Sequence, residues 1–304
     1  MKNTKGNKLK ISLLVAVGIV VGAGAIKMVG ATTSYIQEQR AEQIRQQQIA
    51  EAERLEAERI RKEKEEYEKN MVGVSYEGRA NSYDAIKVAE KLKKYDYSNN
   101  GEKIVFLTFD DGASTTVTPQ ILDTLKENDV NATFFVTGKT IVNGGDKAKE
   151  LIKRSFDEGN SIANHSYAHD YKYLYPGRTL NLGNFTTDFK KTDELLKEII
   201  DPNFSTRVLR CPGGYMSWKG MSALDEYLTA NNMASIDWNA LNADAEGKKK
   251  NAEELVEYAI KTSEGKEMVV LLMHDTYGKE ETAKALPGII KYFKDNGYAF
   301  KTLA

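Results

Sequence analysis

The chain has 304 residues, enough for one large domain with an extension or for two small ones. Five Pro and one Cys exclude collagen-like, mucin-like and disulfide-scaffold classes, and the single Cys211 cannot close an intramolecular disulfide. Residues 1–100 carry 18 Lys+Arg against 14 Asp+Glu and residues 101–304 carry 25 against 30, so the larger part is acidic and nucleic acid is not an expected partner.

Lys2, Lys5, Lys8 and Lys10 precede every acidic residue, and Ile11 to Ile26 is an uncharged apolar and Gly-containing run. A basic flank before an apolar run reads as an export signal or membrane anchor over residues 1–35, with the Lys-rich end kept in the cytoplasm. Read from Leu9 to Ala31, with Lys27 reaching back to the interface, the segment is long enough to span. Ala23-Gly24-Ala25 has the form of a cleavage site, so a secreted product is the alternative.

Residues 36–70 contain no Gly or Pro and are rich in Glu, Gln, Arg, Ala and Lys, a composition that predicts a charged helical stalk. Glu58/Lys62 and Glu65/Lys69 stand at i,i+4 in the favourable order. Ile36, Ile44, Ile49, Leu55 and Ile60 keep no clean heptad, which leaves both a self-associating coiled coil and a solvated single helix open. Residues 71–100 read as a connector with a short helix over Asp84–Lys94, and the compact domain is expected to begin near Gly101.

From there apolar runs and helical segments alternate. Strands are predicted at Ile104–Asp110, Ala132–Thr137, Ser161–Asn164, Arg207–Arg210, Ala234–Trp238, Met268–Met273 and Tyr298–Leu303. Helices are predicted between them, at Pro119–Asn128, Lys147–Glu158, Thr187–Ile200, Gly220–Asn231, Ala252–Thr262 and Glu281–Asp295. Seven strands interleaved with six helices imply an α/β fold with a parallel sheet, open or closed as a barrel, and chemistry at the carboxyl ends of its strands.

The polar motifs fall at those ends. Asp110-Asp111-Gly112 closes the first strand, and two adjacent carboxylates there call for a balancing positive charge. His165 and His169 follow the third strand at i,i+4, which puts them on one face if the segment is helical. The third and last histidine, His274, ends the sixth strand. All three histidines and the Asp pair at strand ends point to a metal site. Arg210-Cys211-Pro212-Gly213-Gly214 ends the fourth strand, and its glycines let the backbone approach a ligand. Trp238 ends the fifth, with Asp244 six residues on.

Over residues 101–304 the sequence resembles polysaccharide deacetylases of carbohydrate esterase family 4, the NodB-like domain. The elements occur in that family's order: Thr108-Phe109-Asp110-Asp111-Gly112, His165-Ser166-x-x-His169, Arg210-x-Pro212-x-Gly214, Trp238 with Asp244, and Leu272-x-His274. The resemblance implies a distorted (β/α)7 barrel and a metal-dependent de-N-acetylase. It makes Asp110 the base and Asp111, His165 and His169 the metal ligands. Arg210 orients Asp110, Gly213 offers its N–H to the oxyanion, Trp238 and Leu272 shape the acetyl pocket, His274 is the acid and Asp244 tunes it. Cys211 replaces a frequent Pro, and an aromatic common at Gly213 is missing.

Ligation by nitrogen and oxygen suits Zn2+, with Co2+, Ni2+ and Mn2+ also compatible. Arg210 and the metal beside it are expected to favour ionised Asp110. With the anchor and stalk, the expected substrate is acetylated cell-wall polysaccharide, peptidoglycan N-acetylglucosamine first, acted on outside the membrane. Chitin oligomers, an exopolysaccharide or xylan are the alternative substrates, and a non-catalytic wall-binding scaffold is the alternative of another class.

Overall fold

The computed structural model describes residues 30–304. The apolar run Ile11–Ile26 of the expected anchor lies outside the described residues; among those described, no helix is long and apolar enough to cross a membrane. The chain divides into two units, Met1–Tyr67 and Glu68–Ala304.

Among the described residues of the first unit there is one helix, α1 (Gly30–Tyr67), 38 residues long and so about 57 Å at the α-helical rise. It starts before and ends just short of the expected stalk at 36–70. Lys62 pairs with Glu58 at 2.9 Å and Arg61 with Glu65 at 3.0 Å; exposed pairs of this kind each add only tenths of a kcal/mol. Ile44 and Leu55 are 54% and 55% exposed, so no apolar seam is covered there.

In the second unit the chain runs through β1 (Met71–Val72), β2 (Ser82–Tyr83), α2 (Ala85–Lys93), β3 (Ile104–Asp110), α3 (Thr118–Glu127), β4 (Thr133–Val136), α4 (Gly138–Asp157) and β5 (Ser161–Asn164). It continues through α5 (Tyr171–Leu174), α6 (Leu182–Ile199), β6 (Phe204–Ser205), β7 (Val208–Leu209), α7 (Ser222–Ala230), β8 (Ala234–Ser235) and β9 (Ala240–Leu241). The last elements are α8 (Ala252–Ser263), β10 (Met268–His274), α9 (Glu280–Asp295), β11 (Ala299–Phe300) and β12 (Thr302–Leu303).

The main sheet has the order β8-β7-β5-β4-β3-β10-β9, with every pairing parallel. Its central strands β3 and β10 are apolar runs buried on both faces, as parallel strands covered by helices must be. The end strands β8 and β9 are neighbours in sequence, yet no pairing joins them among the described residues. The result is a curled parallel half-barrel, consistent with the distorted (β/α) barrel expected and open between β8 and β9. The seventh expected strand, Tyr298–Leu303, is split. Its first part pairs with Ile104 and Val105 of β3, and its second part pairs with β2. The place beside β10 is taken by Ala240–Leu241, two residues too few to show a periodicity.

The expected domain start near Gly101 also moves. Residues 71–100 belong to the same compact unit: β1 pairs with β6, and β2 pairs with β12. In α2, Ala85, Val88, Ala89 and Leu92 form one face at helical spacing and are buried with Ala234, Ile236, Met268 and Val270. Asp84 caps this helix by accepting from the Ile86 N–H at 3.1 Å.

Candidate active site

The carboxyl ends of β3, β5, β7 and β10 bring most of the expected residues into one cluster. Asp110 is the last residue of β3 and is 3% exposed. Asp111 lies just beyond, with φ of 70°, a left-handed conformation that costs a non-glycine residue energy and recurs at functional sites. Its N–H donates to the Phe135 carbonyl at 3.1 Å, which ties the turn to β4. Gly112 is required by close approach: a Cβ there would lie 2.1 Å from Asp275 Oδ2.

His165 and His169 converge by a different route from the one expected. Residues 165–170 are a turn, with Ser166 and His169 at positive φ, so no helical face carries the pair. Ser166 Oγ accepts from the His169 N–H at 2.9 Å. Asp188 Oδ1, from α6, accepts from the N–H groups of Tyr167 and Ala168 at 2.6 and 3.3 Å. Asp188 has no signal in the sequence, because it stands in the middle of an ordinary amphipathic helix.

The ligand atoms of Asp111, His165 and His169 lie within 4.8 Å of one another. Asp111 Oδ1 is 3.8 Å from His165 Nε2 and 3.6 Å from His169 Nε2. The donor set suits a divalent ion on its own chemistry. The His165 Nδ1 is 2.8 Å from the Arg210 carbonyl, which can only accept, so Nδ1 carries the proton and Nε2 presents its lone pair to the cluster. Burial holds the His165 pKa down to about 3, against the pull of Asp111, so this ring is neutral as a ligand must be.

Arg210 is fully buried and spans the base of the site. Its Nη1 donates to Asp110 Oδ1 at 2.6 Å and to Thr108 Oγ1 at 3.0 Å, and its Nε donates to the Ile236 carbonyl at 2.8 Å. The guanidinium also lies 4.0 Å from the Phe135 ring and 5.7 Å from that of Trp238. Asp110 Oδ2 is thereby left facing the cluster, 3.6 Å from His165 Nε2. Burial raises the Asp110 pKa, and the Arg210 charge and hydrogen bond only partly oppose it. Of the two charges expected to favour the ionised form, the guanidinium acts with that sign, and desolvation opposes it more strongly.

His274 ends β10. Its Nδ1 donates to Asp244 Oδ1 at 2.7 Å and its backbone N–H donates to Asp244 Oδ2 at 2.8 Å. Thr282 Oγ1 donates to the same Oδ2 at 2.7 Å. Burial lowers the His274 pKa, but the hydrogen bond and charge of Asp244 outweigh it and the net shift is upward. Asp275, unassigned from sequence, is buried behind Gly112. Its Oδ2 accepts from Thr118 Oγ1 at 2.6 Å, its Oδ1 has no hydrogen-bond partner among the described residues, and burial pushes its pKa up to about 7.

Leu272 is buried two residues before His274. Trp238 lies beyond β8 rather than in it, partly buried against the core. Gly213 has φ of +77°, and its N–H donates to no group among the described residues.

The family model for polysaccharide deacetylase matches residues 97–227. A peptidoglycan-N-acetylglucosamine deacetylase of Bacillus cereus is 29% identical over 213 residues, 67% of this chain and 71% of the relative. A peptidoglycan-N-acetylmuramic acid deacetylase of Bacillus subtilis is 31% identical over 220 residues, 70% of this chain and 75% of the relative. Among solved structures, a carbohydrate esterase family 4 esterase of Streptococcus mutans superimposes with a TM-score of 0.70 at 34% identity, over 78% of this chain and 99% of that one.

Proposed function

Because the chain belongs to the polysaccharide deacetylase family, we propose that it is a metal-dependent hydrolase that removes acetyl groups from N-acetylglucosamine residues of cell-wall peptidoglycan. The observation that carries this reading is the convergence of an Arg-held carboxylate, an Asp-held histidine and an Asp–His–His cluster on one end of the sheet. The names of the relatives support the wall as substrate. The Lys-rich start and the apolar run Ile11–Ile26 support an extracellular catalytic unit, anchored in the cell membrane or secreted after cleavage. The exposed Ile44 and Leu55 of α1 give the stalk apolar surface for self-association.

Asp111, His165 and His169 would hold a divalent ion, which would supply Lewis acidity for the acetyl carbonyl and for water. Asp110 Oδ2 takes the proton of the attacking water, and a carboxylate with raised pKa is a stronger base than an exposed one. Arg210 fixes the other carboxylate oxygen and so aims Oδ2 at the cluster. The Gly213 N–H donates to the carbonyl oxygen as charge develops on it. Leu272 and Trp238 bound the acetyl methyl. His274, held by Asp244 at Nδ1, gives the Nε2 proton to the nitrogen as the C–N bond breaks, leaving acetate and a free amine.

The test is acetate release from purified peptidoglycan and from N-acetylchitopentaose by the zinc-loaded chain, before and after chelation. Mass spectrometry of the treated wall then locates the new amine. Free amine on glucosamine supports the proposal; free amine on muramic acid alone moves the substrate, and no acetate from either polymer removes the function.

A further inference from the structure

An aromatic row starts at the candidate metal ligands and runs outward. The rings of His169 and Tyr171 are 5.2 Å apart, those of Tyr171 and Trp218 are 5.2 Å apart, and Trp218 stacks on Tyr175 at 4.1 Å and 7°. The outer members are fixed before any ligand arrives. The Trp218 Nε1 donates to the Pro212 carbonyl at 2.9 Å, and Tyr175 beneath it is buried. The Arg178 guanidinium lies 5.4 Å from the indole centroid and is itself pinned to the Ser217 carbonyl at 2.9 Å. Tyr171 opens α5, whose N-terminus is capped by the Asp170 side chain. Tyr171 is 44% exposed, and its hydroxyl has no hydrogen-bond partner among the described residues.

The row also closes over Gly213. A Cβ at Gly213 would lie 3.1 Å from Trp218 Cζ2 and 3.3 Å from the Tyr171 hydroxyl. The phenol oxygen therefore sits beside Gly213, whose backbone N–H the proposed reaction leaves for the acetyl oxygen. A flat, anchored ring with a free hydroxyl next to the reacting centre suits a pyranose, whose C–H face packs on an aromatic and whose hydroxyls pair with a phenol. Because the rings are held in place already, binding costs little side-chain ordering.

We infer that Tyr171 and Trp218 form the sugar-binding wall of the site, with the Tyr171 hydroxyl hydrogen-bonding a hydroxyl of the N-acetylated pyranose. The inference rests on the deacetylase reading and adds a specificity-determining pair to it. Tyr171 acts on binding of the ring, and the proton transfers stay with Asp110 and His274.

The test uses the full zinc-loaded chain with N-acetylchitopentaose, reading KM, kcat and bound zinc for Tyr171→Phe, Tyr171→Ala and Trp218→Phe. Tyr171→Phe removes only the hydroxyl and should raise KM about 5-fold, the scale of one neutral hydrogen bond. Tyr171→Ala should raise KM further, and Trp218→Phe should raise it too, with the loss falling in KM rather than kcat and the zinc content matching the parent chain. KM values equal to the parent's for Tyr171→Phe and Tyr171→Ala would overturn the inference while leaving the deacetylase reading standing. So would a loss confined to kcat and accompanied by loss of zinc, which would make Tyr171 a prop for His169. Failure of the deacetylase reading appears earlier and differently, as a parent chain that releases no acetate from either polymer, and it takes the inference with it.

Discussion

His274 stands directly opposite Asp110 in the parallel register of β10 on β3. Side chains at paired positions project on the same face, so the fold places the two titrating groups side by side without help from a loop. Each then has its own partner: Arg210 holds Asp110, and Asp244 holds His274. A cation on the carboxylate and a carboxylate on the imidazole suit the neighbours to the separate duties proposed for them, base and acid.

The Asp244 contact sets a pH dependence. Asp244 raises the His274 pKa above its ordinary value, so the imidazolium persists to higher pH. Activity that needs this proton is lost as pH rises through the pKa in the folded enzyme. Asp244→Asn removes the raising partner, so the alkaline limb of the kcat profile should move to lower pH and kcat should fall about 10–100-fold. A pH–rate series on both proteins checks the shift; an alkaline limb that stays in place would separate Asp244 from the acid.

Metal removal should abolish activity, and re-addition of Zn2+ should restore it. His169→Ala should lose the ion but keep its circular dichroism spectrum and a cooperative melt. His169 lies in a turn, while the buried runs of β3, β4 and β10 supply the core. Metal analysis with parallel thermal melts gives the answer; full activity in a metal-free preparation would contradict the assignment.

Arg210→Met should cost stability as well as activity. The guanidinium is buried with Asp110, and removing one member of a buried pair leaves the other uncompensated, at about 3–5 kcal/mol. Adding Asp110→Asn removes the orphaned charge, so the double variant should recover part of that loss. Urea unfolding of the two single variants and the double variant reads the coupling.

A chain cut to begin at Glu68 should fold, and one cut at Gly101 should not. The second cut discards β1, β2 and the buried face of α2. Val88 and Leu92 alone are worth about 1.5–3 kcal/mol each, and their neighbours Ala234 and Ile236 would face water. Soluble yield and a cooperative melt for the two truncations distinguish the outcomes.

Legibility in the sequence followed the length and locality of each signal. β3 and β10 are seven-residue buried runs and could be bounded to within a residue. Ala240–Leu241, which fills the last place beside β10, is a two-residue strand with no pattern to read. The apolar face of α2 was visible as a helix, but nothing local tells that its partners lie in β8 and β10. The spacing of His165 and His169 was legible as a pair of candidate ligands and misleading as a helix, because Ser166 and His169 at positive φ fold the segment into a turn. Asp188 and Asp275 escaped notice since their roles depend on groups distant in sequence, the turn at 167–168 and Thr118.

The most direct measurement is kcat for Asp110→Asn on N-acetylchitopentaose, with bound metal determined on the same sample. Asn keeps the shape and can still accept from Arg210, but it cannot take a proton. A fall of about 10²–10⁴-fold with the metal retained is the expected result. Undiminished kcat, or loss of the ion on this substitution, would contradict the assignment of Asp110 as the base beside an Asp111–His165–His169 metal site.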